Sequence, residues 1–393
     1  MFAIRSRFAL FAVACSAMFS AQPAAADGFQ TNEPFALLMD YATGAVLYEK
    51  SADEPMIPAS TTKLLTAEIT FRELKEGRLH LDDVFEVSEN AWRTGGAKSH
   101  GSTMFLALHS KVRVEDLLRG LVIQSGNDAA IVLAEGIAGT EANFAGMMNK
   151  RAGEIGMAHS TFTNSWGNPD PRQRVTPRDM AHLAAFIITT YPDYYRYFSE
   201  KDFTWNKIHQ LNRNPLLTMN LGADGLKTGD TAESGFGLVG SAVQNGQRLI
   251  LVINGMKTAT DRSEEARKLL NWGFRSFDVR TLFEAGDVVG AASVFGGARG
   301  EVSLVAEAPI KIFVTRGSSE KLAAKIVYKG PLPAPIAQGE ELAHLKVWRG
   351  ASEVLDVPLK TAEAVGTGTL SQRALDAGME MASGLIRKTF AKN

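Results

Sequence analysis

Gly235-Phe236-Gly237-Leu238-Val239-Gly240-Ser241-Ala242-Val243 is followed by Gln244-Asn245-Gly246-Gln247 and then Arg248-Leu249-Ile250-Leu251-Val252-Ile253-Asn254. Two apolar, β-rich runs flank an Asn-Gly pair that favours a tight primed turn, so the stretch reads as a strong hairpin. Immediately beyond it, Asp261-Arg262-Ser263-Glu264 looks like a capping box opening a helix to about Phe274. Far upstream, the apolar runs at 35–39 and 45–48 are joined by Asp40-Tyr41-Ala42-Thr43-Gly44, a turn with its glycine late. Helical patterns lie between, at about 60–76, 114–122, 128–138, 142–156 and 177–190. Thr176-Pro177-Arg178-Asp179 opens the last with an N-cap, a first-position proline and an acid in the first turn. Strands open and close the region while helices fill its middle. That is an α+β unit in which distant segments meet across one sheet.

The texture changes after about Phe277. Short strand candidates at 288–295, 310–315, 323–328 and 342–348 are spaced by Gly and Pro clusters, including Gly330-Pro331-Leu332-Pro333. Residues 281–362 therefore read as a small all-β domain, a spacer or interaction module, after a domain at 27–280. The tail at 369–393 carries an amphipathic helix. Leu370, Ala374, Ala377, Met381 and Leu385 share one face, with Gln372, Arg373, Asp376, Glu380 and Arg387 opposite. It ends basic at Arg387, Lys388 and Lys392. A helix docked on its own protein competes with an interfacial helix on the inner-membrane surface, and the terminal position and basic tip favour the membrane.

Residues 1–26 have the plan of a secretory signal peptide: Arg5 and Arg7, an apolar core too short to span a bilayer, and Ala24-Ala25-Ala26 for cleavage. Cutting there removes two Arg and no acid, taking the formal charge from −1 to −3. Cys15, the only cysteine, leaves with that segment, so the expected mature protein has neither disulfides nor a cysteine nucleophile. The seven His are scattered without metal-ligand spacing, and neither metal nor cofactor is expected. No basic stripe points to nucleic acid. At 393 residues, two folded units are the natural expectation.

Three triplets carry candidate chemistry. Ser60-Thr61-Thr62-Lys63 follows Pro58-Ala59 and opens an apolar-periodic helix. A serine there lies among free N–H groups and the helix dipole, and a lysine three residues on shares its face. A buried lysine near other cations loses basicity and can deprotonate the hydroxyl. The same four residues also fit an N-cap serine beside a surface lysine. Ser125-Gly126-Asn127 interrupts a helical pattern, and an exposed polar tripeptide offers a hydroxyl and an amide to a cleft, although all three are ordinary turn formers. Lys227-Thr228-Gly229 precedes the hairpin, where a cation, a hydroxyl and a glycine let a peptide lie along a sheet edge with its carboxylate held. A plain loop lysine is the alternative.

The order S-x-x-K, S-x-N, K-T-G is that of serine β-lactamases and penicillin-binding proteins, with Gly126 where an aspartate is often found. Nearly the whole mature chain resembles the low-molecular-mass penicillin-binding proteins of the D-alanyl-D-alanine carboxypeptidase type. Beyond the trio, the likeness rests on 123–129, 209–214, 224–229 and 270–274, and on the β-rich second domain and amphipathic tail. The resemblance implies a transpeptidase-like domain, an antiparallel sheet with a helical cluster, acting on peptidoglycan stem peptides and acylated by β-lactams. It implies that Ser60 attacks the D-Ala-D-Ala carbonyl, Lys63 takes its proton, Ser125 and Lys227 relay protons to the departing D-alanine, and Asn127 holds the substrate amide. The backbone N–H groups of Ser60 and Asp230 would form the oxyanion hole. Thr228 and Gly229 belong to the same substrate edge. Arg213 and Arg262 match family arginines near the site and are candidates to attract the terminal carboxylate, surface salt bridges being their alternative. Asp230 departs from the best-known members, which carry His there.

Three rivals share parts of this reading. A class A β-lactamase deacylates with a glutamate, and between Met157 and Arg174 only Asp170 is acidic. A D,D-endopeptidase uses the same trio. A non-catalytic peptidoglycan or β-lactam sensor does not need Ser60, Lys63 and Lys227 all intact.

Overall fold

The computed structural model describes residues 29–316, 321–350 and 352–378. The signal-peptide segment, and Met381 and Leu385 of the tail, lie outside them. The chain forms two compact units, the first ending at Phe277 and the second starting at Asp278.

In the first unit, β1 (Phe35–Asp40) and β2 (Val46–Lys50) form the upstream hairpin. Asp40 Oδ1 accepts from the Thr43 N–H and hydroxyl at 2.9 Å each, and Gly44 takes φ +69°. Then come α1 (Lys63–Lys75), the ribbon of β3 (Val84–Glu86) and β4 (Lys111–Arg113), α2 (Val114–Arg119), α3 (Asn127–Ala138) and α4 (Glu141–Glu154). After α5 (Pro177–Thr190) and the short α6 (Pro192–Tyr195), a second ribbon pairs β5 (Asp202–Trp205) with β6 (Ile208–Leu211). β7 (Ala223–Thr231), β8 (Gly235–Gln244), β9 (Gln247–Met256) and α7 (Ala259–Ser276) complete the unit. The antiparallel sheet has the order β2-β1-β9-β8-β7, so the chain's start lies beside its late hairpin and β7 forms an edge.

Local chemistry explains much of this. The β8–β9 turn has Asn245 and Gly246 at φ 51° and 79°, as a primed turn requires. Thr176 caps α5 by accepting from the Asp179 N–H at 3.1 Å, with Pro177 in the first turn. α7 corrects the capping expectation. Its N-cap is Thr258, whose extended backbone lets Oγ1 accept from the Asp261 N–H at 3.0 Å, placing Asp261 in the first turn. α3 is apolar nearly all round because it lies inside the core, with Ala129 to Ala134 essentially inaccessible, and α1 beside it buries Leu64, Leu65, Ala67 and Phe71 together with the polar Lys63, Thr66, Glu68 and Thr70.

The second unit is all β except at its end. β10 (Phe277–Phe283) pairs with β13 (Ile310–Thr315). A six-stranded sheet runs β14-β16-β17-β12-β11-β15, from β11 (Val288–Phe295), β12 (Glu301–Val305), β14 (Leu322–Tyr328), β15 (Leu332–Pro333), β16 (Glu341–Arg349) and β17 (Ser352–Thr361). β17 escaped the sequence reading because Pro358 argues against a strand, and β12 because it is a five-residue alternation without flanking aromatics. A helix begins at residue 370. Thr369 N–H donates to Gln372 Oε1 at 2.8 Å and Gln372 N–H to Thr369 Oγ1 at 3.4 Å, a capping box the sequence contains and the reading above passed over. Its Asp376 accepts from the Gly296 N–H at 2.8 Å, while Leu370 and Leu375 are 83% and 65% exposed.

Candidate active site

Ser60 sits in a tight 3-10 turn, Ala59–Thr62, at the head of α1. Ala59 is held at φ +47°, a costly conformation for alanine, by close packing. Gly167 presses on it so closely that a β-carbon there would lie 1.9 Å from the Ala59 carbonyl oxygen. One turn on, Lys63 is 1% exposed, and its Nζ lies 2.9 Å from Ser60 Oγ, 2.8 Å from Asn127 Oδ1 and 2.6 Å from the Trp166 carbonyl. Burial drives its pKa well below the ordinary lysine value, and the cations Lys227 and Arg213 push the same way against Asp128 and Asp230. The alternative of a surface lysine does not apply.

Ser125-Gly126-Asn127 is not exposed as expected. Ser125 and Asn127 are 1% and 6% accessible, because the segment before Leu106 folds over them and the Ser102 carbonyl accepts from the Asn127 N–H at 2.7 Å. A wide π turn, Gly120–Gln124, ends in Ser125 at φ +66°. Its Oγ is buried without a hydrogen-bond partner among the described residues.

Lys227-Thr228-Gly229 lies within the edge strand β7, not in a loop before it. Gly229 is required by approach: a β-carbon would meet the backbone nitrogens of Ser60 and Thr61 at 2.9 Å. Lys227 is 1% exposed and donates to the Thr228 carbonyl at 3.1 Å. Burial, Arg213 and Arg262 bring its pKa down to about 7. Thr228 and Gly229 are buried beside it, while Asp230, which follows them, is exposed. Arg262 is 8% exposed, with its guanidinium over the Phe236 ring at 5.7 Å and its Nε unpartnered among the described residues. Arg213 is exposed and joins the wall before Ser125, its N–H donating to the Ile123 carbonyl at 3.2 Å. Lys227, Arg213 and Arg262 thus form a cationic cluster that Asp230 partly offsets.

The Ser165-Trp166-Gly167 loop escaped the sequence reading. Its signal was Asn164, whose Oδ1 accepts from the N–H groups of Trp166, Gly167 and Asn168 and so turns the Trp166 carbonyl toward Lys63. Asp170 is occupied by Arg172, which holds its carboxyl down at about 2. Among the described residues no group of three or more His, Cys, Asp or Glu converges as a metal site. The arrangement supplies an activated hydroxyl, two further proton-carrying groups and an anion-binding wall.

Residues 20–258 match the family described as D-alanyl-D-alanine carboxypeptidase, and residues 277–367 match the penicillin-binding protein 5, C-terminal domain. The chain is 40% identical to the D-alanyl-D-alanine carboxypeptidase DacC of Escherichia coli (strain K12) over 343 residues, covering 86% of each protein. It resembles the crystal structure of penicillin binding protein 5 from Haemophilus influenzae with a TM-score of 0.78 at 36% identity, covering 86% of this chain and 99% of that one. Penicillin-binding protein D2 of Listeria monocytogenes, in its ampicillin-bound form, matches with a TM-score of 0.57 at 28% identity over 63% of this chain and 99% of that one.

Proposed function

The chain belongs to the D-alanyl-D-alanine carboxypeptidase family, and we propose that it removes the terminal D-alanine of peptidoglycan stem pentapeptides through an acyl-enzyme on Ser60. The observation that carries the reading is the 2.9 Å contact between Ser60 Oγ and a fully buried, weakly basic Lys63. A neutral Lys63 takes the hydroxyl proton as Oγ bonds to the penultimate carbonyl carbon. The Ser60 and Asp230 N–H groups receive the oxyanion. Ser125 and Lys227 return a proton to the leaving nitrogen, the C–N bond breaks and D-alanine departs. Water then hydrolyses the ester. Asn127 holds the substrate amide along β7, beside Thr228 and Gly229, and the cationic cluster with Arg213 and Arg262 attracts the terminal carboxylate. The Asp230 side chain weakens that attraction, so it tunes turnover and β-lactam sensitivity.

Penicillins acylate the same serine. Asp170, tied to Arg172, is poorly placed chemically to act as a deacylating base, which supports a peptidase over a β-lactamase. Export by residues 1–26 would deliver the enzyme to the periplasm. The tail would attach it peripherally to the inner membrane, a reading supported by the exposure of Leu370, Ala374 and Ala377. Domains at 27–280 and 281–362 would then be catalytic and spacing modules. Labelled penicillin should leave a stable adduct on the Ser60 peptide, and Ser60→Ala should abolish both the adduct and D-alanine release from a pentapeptide. An adduct on another residue overturns the assignment.

A further inference from the structure

Behind the Ser125–Asn127 wall lies a carboxylate that the catalytic reading does not use. Asp128 is completely buried at the second position of α3, and among the described residues no cation pairs with it. Its Oδ1 accepts from the N–H groups of Met104 and Ala129 at 3.0 Å each, and its Oδ2 from the Leu106 N–H at 3.0 Å and the Thr103 hydroxyl at 2.6 Å. Burial raises the Asp128 pKa from the ordinary aspartate value, and these four hydrogen bonds oppose that shift: three of the donors are backbone N–H groups, which can only donate, so the oxygens serve as acceptors.

The segment held this way forms the roof of the site. Its Ser102 carbonyl takes the Asn127 N–H at 2.7 Å, and Gly101 lies so close that a β-carbon would stand 2.8 Å from Asn127 Nδ2. Asn127 in turn receives the Lys63 ammonium or amine at 2.8 Å. An unbroken chain of short contacts therefore runs from Asp128 through the 101–106 segment and Asn127 to Lys63 and Ser60.

We propose that Asp128 is a positioning residue for acylation: its carboxylate clamps the 101–106 segment onto Asn127 and, as the anion behind Asn127, sets the field in which Lys63 gives up its proton. The inference rests on the Ser60 acyl-enzyme reading. The charged groups around Lys63 are Lys227 and Asp230 on β7, Arg213 beyond β6 and Asp128 on α3; Asp128 and Asp230 hold its proton on against the other two. Removing the Asp128 charge therefore eases deprotonation of Lys63, while loosening the segment misplaces Asn127.

The two effects separate in experiment. Rates of Ser60 acylation by labelled penicillin are measured from about pH 4 to 10 for the wild type, Asp128→Asn and Thr103→Val. A wild-type adduct on Ser60 checks the underlying reading independently. Asp128→Asn puts an amide against backbone donors and should lower the plateau rate at least tenfold, with the acid limb displaced to lower pH. Thr103→Val keeps the charge and removes one donor; it should lower the plateau several-fold and leave the acid limb in place. An acid limb of Asp128→Asn at the wild-type position overturns the proposal. If that variant does not fold, Thr103→Val acylating at the wild-type rate overturns it instead.

Discussion

Lys63 is the residue on which the proposed chemistry turns, and its properties come from where it is kept. A solvated lysine is protonated at neutral pH and cannot serve as a base. Here burial and two neighbouring cations favour the neutral amine. Lys63→Arg preserves the charge and the approximate length but substitutes a group that stays protonated. Acylation should fall by about 10²–10⁴, the usual contribution of a positioned base, read as the rate of labelled-penicillin incorporation. Lys227 has the opposite part in the proposed mechanism, that of a cation. With its pKa brought down to about 7, it is protonated below that pH and neutral above it. The kcat/KM for a carboxylate-terminated pentapeptide should therefore decline as pH rises through about 7. Lys227→Arg should remove that alkaline limb, since the guanidinium does not titrate in the range. A limb that survives the substitution belongs to another group.

At the scale of elements, the start of β1 and the helix α7 share a buried acid. Glu33 is fully inaccessible, and neither of its oxygens has a partner among the described residues. Desolvation raises its pKa to about 7, with Glu265 adding to the effect and Lys50 and Lys268 opposing it. A folded pKa above the unfolded one means that the protein favours the neutral acid. The associated stability is fully present below the ordinary glutamate range and is lost as pH rises through about 7. Melting temperature should drop between pH 6 and pH 9, and Glu33→Gln should flatten that drop by a few degrees while changing little at pH 5. Identical pH profiles would assign the loss to other groups. The same scale explains the β7 glycine. An edge strand reaches the head of α1 only if residue 229 has no side chain to meet the Ser60 and Thr61 nitrogens.

At the scale of the whole molecule, the proposed catalytic residues Ser60, Lys63, Ser125 and Lys227 all lie in the first unit and the tail in the second. Among the described residues no helix is long and apolar enough to cross a membrane. The amphipathic sequence pattern of the tail is what would make its attachment interfacial. Its apolar face of two Leu, two Ala and one Met would give moderate affinity. Arg387, Lys388 and Lys392 would add about 1 kcal/mol each on anionic lipid, a share that salt screens. The mature protein should float with anionic vesicles and partly release at high salt. A chain ending at Thr369 should stay in the soluble fraction and retain full peptidase activity. Equal partitioning of the two would place the helix on the protein itself.

The sequence by itself determined whatever is written within a few residues. The Asn245-Gly246 turn, the Thr176 cap and the three-residue step from Ser60 to Lys63 depend on local backbone preference and helical period, and the strands at 288–295 and 310–315 on local alternation. The Thr258 cap was equally local and lies three residues before the expected one, since Thr258 and Asp261 are both N-cap residue types. Only the tertiary structure decided that Ser125 and Asn127 are buried, that Lys227-Thr228-Gly229 runs inside an edge strand, and that the Trp166 carbonyl completes the shell of Lys63. These depend on closing the sheet around α1 and α3, which pairs Phe35 with Asn254 and sets Gly229 against the Ser60 nitrogen. The lowered pKa of Lys63 follows from that closure, because desolvation and the fields of Lys227 and Arg213 exist only once distant segments share one dry site.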